Sequence, residues 1–103
     1  NRSFGKNEIL TSKKFVNKTN YFSKRFAAKE AFAKALGTGF REGLNFKDIE
    51  ILNNKLGKPY YLINTKIKSL IKKIKKVKKF NLFLSISDEK DYSVAFAIIQ
   101  KIQ

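Results

Sequence analysis

Hydrophobic positions along the chain change period several times, and each change marks an element. From Tyr21 to Leu36 the run YFSKRFAAKEAFAKAL is rich in strong helix formers. It stops at Gly37-Thr38-Gly39, where glycine can take the left-handed conformation that closes a helix. Phe46 to Leu52 changes to a two-residue alternation through Phe46, Ile49 and Ile51, offset by Asp48 and Glu50, as a half-buried strand would show. Asn53 to Pro59 then reads as a turn and Tyr60 to Ile63 as the returning strand. Between Lys66 and Lys79, the apolar Ile67, Leu70, Ile71, Ile74 and Val77 fall at helical spacing with lysines on the other face, which predicts an amphipathic surface helix. Leu82, Leu84 and Ile86 alternate with Phe83, Ser85 and Ser87. A charged turn, Asp88-Glu89-Lys90-Asp91, leads to a second apolar strand from Tyr92 to about Ile102, so these two form an antiparallel hairpin. Before Tyr21 the pattern is weak: Lys6 to Leu10 reads as a helical turn and Asn17 to Asn20 as a loop. The order helix, two strands, helix, two strands predicts an α+β domain with an antiparallel sheet and helices packed on it.

Composition narrows the function. The 103 residues carry 23 Lys and Arg against 8 Asp and Glu, a net charge of +15, with 43% apolar residues including ten Phe and four Tyr. One small domain with a real core is expected rather than a disordered basic tail. Neither linker nor internal repeat divides it. With no Cys and no His, serine-histidine hydrolases, thiol enzymes and zinc sites built on those ligands are excluded. Apolar runs are only a few residues long and no signal-peptide pattern opens the chain, so a cytoplasmic setting without a membrane partner is expected. The chain begins at Asn1 and contains no Met, so its natural beginning is expected to lie upstream.

Such a charge calls for an acidic partner or a solvent role. Lys72, Lys73, Lys75, Lys76, Lys78 and Lys79 read equally as a solvated face in a chain rich in Lys, Ile and Asn. A pI near 10.1 with interleaved Phe and Tyr leaves a basic nucleic-acid-binding module as the alternative function. No RNA- or DNA-binding motif supports it, and nucleic acid is not the expected partner. A membrane-surface helix at Lys66 to Lys79 would present no Trp or Phe, so packing on the sheet explains its apolar face better.

Candidate chemistry centres on the alanine-rich helix. Glu30 and Lys34 lie four apart and project from one face, where small alanines allow close approach of a ligand. Spacing alone favours a surface ion pair over a functional pair. Likewise Gly37, Thr38 and Gly39 could be only a helix terminator, and Gly57-Lys58-Pro59 only a hairpin turn.

Several separated blocks together carry a resemblance. Arg25-Phe26-Ala27-Ala28-Lys29-Glu30-Ala31, then Lys34-Ala35-Leu36-Gly37-Thr38-Gly39, Phe46-Lys47-Asp48-Ile49-Glu50-Ile51, Gly57-Lys58-Pro59 and Ser85-Ile86-Ser87-Asp88-Glu89 follow one another in order. This arrangement, covering the chain from about Tyr21 to its end and more loosely Asn1 to Glu8, resembles the holo-acyl carrier protein synthase family of short phosphopantetheinyl transferases. The resemblance implies the 4′-phosphopantetheinyl transferase fold. It implies magnesium-dependent transfer of the 4′-phosphopantetheine arm of coenzyme A to a serine of an acidic apo acyl carrier protein, releasing adenosine 3′,5′-bisphosphate.

By the same resemblance Glu30 is a magnesium ligand and the candidate acceptor of the serine proton, and Lys34 stabilises phosphate charge. Lys29, Gly37, Thr38, Gly39, Gly57, Lys58, Pro59 and Ser87 are then candidate coenzyme A contacts, Arg2 and Arg25 candidate carrier-protein contacts, and a homotrimer with sites between subunits the expected assembly. Two departures stand out. The family's second metal carboxylate, an Asp of a Gly-x-Asp strand, has no counterpart in residues 1–103, so that strand and the following helix are expected outside this single, N-terminally incomplete domain, and without them transfer is expected to be very weak. Asp88 stands where many relatives have His, and an ionised carboxylate cannot donate to phosphate.

Overall fold

A computed structural model of the chain describes Phe4, Gly5, Asn7 and residues 18–37, 43–89 and 91–102. The described elements, in order, are helix α1 (Lys18–Leu36), a 3-10 turn (Phe46–Asp48), strands β1 (Glu50–Asn53) and β2 (Pro59–Leu62), helix α2 (Thr65–Lys75), and strands β3 (Lys79–Asp88) and β4 (Ser93–Ile102). The α+β order read from the sequence is present, built as two antiparallel hairpins, β1 with β2 and β3 with β4. None of the described helices is long and apolar enough to cross a membrane. Of the turn expected over Lys6 to Leu10, only Asn7 is described; the rest lies outside the described residues.

Helix α1 buries a stripe of Tyr21, Arg25, Ala28, Lys29, Phe32, Ala33 and Leu36, spaced three or four apart. Ala28, Phe32, Ala33 and Leu36 join Ile49, Ile51, Tyr61, Ile67, Ile71 and Leu84 in the core. Burying a side chain the size of Phe32 contributes about 1.5–3 kcal/mol. The helix starts at Lys18, three residues before the apolar pattern does, so residues 18–20 are helix where a loop was expected. A first turn can be polar because its backbone N–H groups need no packed partner.

The strand expected from Phe46 begins instead at Glu50. The Asn45 N–H donates to the Asp48 carboxylate at 2.9 Å, and the Asp48 N–H returns to the Asn45 carbonyl at 3.0 Å. That local closure winds residues 46–48 into a 3-10 turn, and the apparent alternation through Phe46 belongs to two structures. The β1–β2 turn is held by Asn54, whose side-chain oxygen accepts from the N–H groups of Leu56 and Lys58, both at 2.9 Å. Gly57 supplies the positive φ of 83° that this turn requires.

Helix α2 is capped by Asn64, which accepts from the Ile67 N–H at 2.9 Å, and it buries Ile67, Leu70 and Ile71. It ends at Lys75, four residues before the lysine run does. Lys76 takes the left-handed conformation (φ 55°, ψ 45°) and turns the chain into β3. The helical phase through Val77 therefore does not hold, although Val77 still packs against the core. In the long hairpin, Leu82 pairs with Ile99, Leu84 with Ala97 and Ile86 with Ala95, which gives the inner face the sequence alternation foretold. Phe83 opposite Ile98, and Ser85 opposite Phe96, stand on the outer face.

Candidate functional site

Glu30 and Lys34 both stand on the exposed face of α1. The alternative of an intrahelical ion pair is not realised, since neither has a side-chain partner among the described residues. What gives this face its direction is the locking of the opposite one. The Lys29 ammonium, fully buried one residue from Glu30, donates to the Phe46 carbonyl at 2.6 Å and to the Ile49 carbonyl, and lies 5.0 Å from the centre of the Phe4 ring. Two carbonyl acceptors and a ring face replace the water that a buried ammonium gives up.

Tyr61 reaches the helix from β2, its hydroxyl donating to the Ala28 carbonyl at 2.6 Å, and burial pushes that hydroxyl's pKa well above the ordinary tyrosine value. Arg25, 3% exposed, donates to the Asn53 side-chain oxygen and lies with its guanidinium carbon 3.7 Å from the centre of the Tyr21 ring. Asn53 in turn donates to the Gly57 carbonyl at 2.8 Å, which ties α1 to the β1–β2 turn. Phe26 stacks on Phe46, with centroids 4.9 Å apart and planes at 13°. Helix α1 is thus fixed against the first hairpin on both sides of Glu30.

The remaining candidate positions fall into three groups. Gly37 ends α1 with φ 91°, its N–H within 3.1 Å of the carbonyls of Ala33 and Lys34, while Thr38 and Gly39 lie outside the described residues. Lys58 and Pro59 line an open groove of about 350 Å³ together with Tyr60, Phe83, Ser85 and Phe96. So the fold brings the Gly-Lys-Pro turn against the strand that carries the Ser-x-Ser block. Ser87 is exposed farther along β3 and its hydroxyl donates to the Glu89 carboxylate at 3.2 Å.

Asp88 pairs with Lys24 at 3.4 Å and accepts from the Ser93 hydroxyl at 3.4 Å, so it fastens the β3–β4 turn to α1. Arg25, expected to touch a carrier protein, is buried as a tether instead, and Arg2 lies outside the described residues. The groove's aromatic wall was missed in the sequence. Its signal was present: Phe83, Phe96 and Ile98 occupy the hairpin positions out of phase with Leu82, Leu84 and Ile86.

As for a metal, the described residues hold no group of three or more His, Cys, Asp or Glu. An exposed Glu30 with no side-chain partner among the described residues still fits a magnesium ion, which keeps several waters and takes one or two carboxylates together with substrate phosphates.

Comparison with known proteins identifies the family and agrees with the fold. The profile of the 4′-phosphopantetheinyl transferase superfamily matches residues 1–97. A relative named holo-[acyl-carrier-protein] synthase from Pelagibacter ubique (strain HTCC1062) is 62% identical over 100 residues, covering 97% of this chain and 78% of that protein. Among solved structures, the holo-[acyl-carrier-protein] synthase from Neisseria meningitidis superposes with a TM-score of 0.83 at 38% identity, covering 97% of this chain and 78% of its own. The one from Bacillus anthracis str. Ames, solved in complex with CoA (3′,5′-ADP), gives 0.77 at 32% identity over 98% of this chain and 78% of its own.

Proposed function

This chain belongs to the 4′-phosphopantetheinyl transferase superfamily, and from that premise we propose that it transfers the 4′-phosphopantetheine arm of coenzyme A to a serine of an apo acyl carrier protein, as a holo-[acyl-carrier-protein] synthase. The observation that carries the proposal is the agreement of a 62% identical synthase with a fold in which Glu30 and Lys34 stand on the exposed face of a helix locked from behind, with no side-chain partner among the described residues. We take the 103 residues as one domain of that fold, working in the cytoplasm where coenzyme A is made available.

Glu30 is the residue that would hold magnesium, with waters and substrate phosphates completing its shell. Bound magnesium would supply charge neutralisation at the coenzyme A diphosphate. Glu30 would also accept the proton of the attacking serine, and Lys34, one turn on, would steady charge on the phosphates as adenosine 3′,5′-bisphosphate leaves. Little covalent work falls to side chains; orientation and charge are what the helix provides. Lys58 and Pro59 would border the cofactor from the groove, with Gly57 letting the backbone approach, and Ser87 and Gly37 would serve as further contacts. Lys29 contributes from behind by keeping α1 on the 3-10 turn.

The outer face of the β3–β4 hairpin supports self-association into a trimer. Phe83, Phe96 and Ile98 are 49%, 67% and 58% exposed there and stand together on one face of the hairpin, an apolar surface that a neighbouring copy would cover. Sedimentation of the native chain and of Phe96→Lys tests this: the native chain should run as a trimer and the variant as a smaller species.

The transfer itself is tested by incubating apo carrier protein with coenzyme A, magnesium and the chain, and weighing the product. A slow mass gain equal to the pantetheine arm is expected of residues 1–103, and Glu30→Gln should bring it to the background with circular dichroism unchanged. A folded, fully active Glu30→Gln would remove Glu30 from the chemistry.

A further inference from the structure

The largest concentration of charge in the molecule lies away from Glu30. Residues 51–87 contain ten lysines and no acidic residue. Four of those lysines converge: Lys68 and Lys72 from successive turns of α2, Lys78 from the connection after it and Lys79 from the start of β3 line a hollow of about 590 Å³ together with Ile63, Phe80 and Ile102. A second hollow of about 390 Å³ shares Lys78 and Lys79 and adds Lys76 and Lys101. Neither has a lining residue in common with the groove beside Lys58.

Stability does not account for this arrangement. The dipole of α2 favours cations in its last turn, which covers Lys72, Lys73 and Lys75. It does not cover Lys68, Lys78, Lys79 or Lys101. Lys68 and Lys72 are like charges four apart on one helix, a spacing that opposes folding. The turn that folds Lys78 and Lys79 back toward α2 is made by Lys76 at φ 55°, where glycine would be unstrained. By contrast Lys66, in the first turn of α2 where a cation is unfavourable, has its acid partner: Asp48 lies 2.7 Å away.

We propose that the hollow between α2 and the open end of the β3–β4 hairpin is a binding site for a small anion carrying several phosphate groups. Lysine ammoniums are compact point charges, and several around one hollow can meet the oxygens of successive phosphate groups. Four ammoniums gathered around one hollow of about 590 Å³ suit a compact anion, which all of them can reach at once, better than a bilayer or a protein helix, which would spread over the rest of the lysine face.

Inorganic tripolyphosphate added to the full chain at fixed ionic strength is the test. A saturable rise in Tm of about 4 °C is expected, together with titration calorimetry showing one site. Lys72→Gln/Lys79→Gln should weaken that affinity at least about ten-fold, whereas Lys47→Gln/Lys55→Gln, an equal change of charge elsewhere, should leave it intact. Equal losses in the two doubles would mean diffuse attraction and overturn the site. So would a Lys58→Gln chain that loses as much tripolyphosphate affinity as Lys72→Gln/Lys79→Gln, which would put the anion in the groove by Lys58. Failure of tripolyphosphate to bind, while phosphatidylglycerol vesicles or duplex DNA capture the chain through Lys72 and Lys79, would replace the small anion with a surface and overturn it equally.

Discussion

The cations of α1 and those of α2 receive opposite treatment. Arg25 and Lys29 sit inside the apolar stripe of α1, 3% and 0% exposed, Arg25 donating to Asn53 and Lys29 to the carbonyls of Phe46 and Ile49. Lys68, Lys72 and Lys75 ride on the outside of α2, whose stripe of Ile67, Leu70 and Ile71 is wholly apolar. A buried cation with fixed acceptors acts as a joint, because leaving either partner alone in the interior is expensive. An exposed one contributes little to folding and is available to ligands. Charge count alone cannot separate the two, although Arg25 and Lys29 both contribute to +15.

The sharpest way to break that contrast is to truncate one member of each set. Lys29→Ala should destabilise the chain by about 3 kcal/mol in urea denaturation, since it strands two carbonyls and opens a cavity. Lys72→Ala should stay within about 0.5 kcal/mol of the native chain. Lys29→Met refines the comparison: it keeps the volume and also removes the burial of charge, so a loss of only about 1–2 kcal/mol is expected. Similar losses for Lys29→Ala and Lys72→Ala would end the distinction.

Tyr61 belongs to the same joint and gives a smaller effect. Tyr61→Phe should cost about 1 kcal/mol near neutral pH by losing the hydrogen bond to the Ala28 carbonyl. Burial raises the hydroxyl's pKa in the folded chain, so its contribution is complete below pH 10, the ordinary tyrosine value. Above that pH the unfolded chain ionises first and the contribution falls. The difference in stability between the native chain and Tyr61→Phe should therefore shrink between pH 10 and pH 12, which chemical denaturation at stepped pH would measure.

How much of this was legible depended on whether periodicity or local chemistry decided the element. The inner face of the long hairpin, Leu82, Leu84 and Ile86, was plain because a period of two places one set of residues on the core, whatever the turn does. The 3-10 turn was hidden because Asp48 interrupts a strand pattern with a hydrogen bond to Asn45, an effect of one side chain that no period records. Glu30 and Lys34 could be picked out by their place in a run of motif blocks. The joint behind them could not, since a charge in an apolar stripe reads as surface unless Ala28, Phe32 and Leu36 are seen to share the face of Arg25 and Lys29. Asp88 shows the converse. Judged as a ligand position it looked deficient, and the fold employs it as a fastener to Lys24.

The end of α2 supplies the smallest and most discriminating test. Every residue through Lys79 is compatible with helix, yet Lys76 turns left-handed and the strand begins at Lys79. A lysine there carries a penalty of about 1–2 kcal/mol that glycine escapes, while glycine adds about 0.5–1 kcal/mol of unfolded-state entropy. Lys76→Gly should therefore stabilise the chain by about 0.5 kcal/mol, a gain of a few degrees in Tm for a domain of this size. The gain should appear without any added anion, because it comes from the backbone. If the lysines of this turn are kept for a ligand, Lys76→Gly should also bind tripolyphosphate less tightly, since a neighbouring ammonium is gone. A chain that becomes both firmer and poorer at binding is what separates these lysines from Lys29, where any truncation loosens the fold. Should Lys76→Gly instead unfold more readily, the left-handed turn is stabilised by contacts of the Lys76 side chain itself, and α2 would use that lysine as α1 uses Lys29.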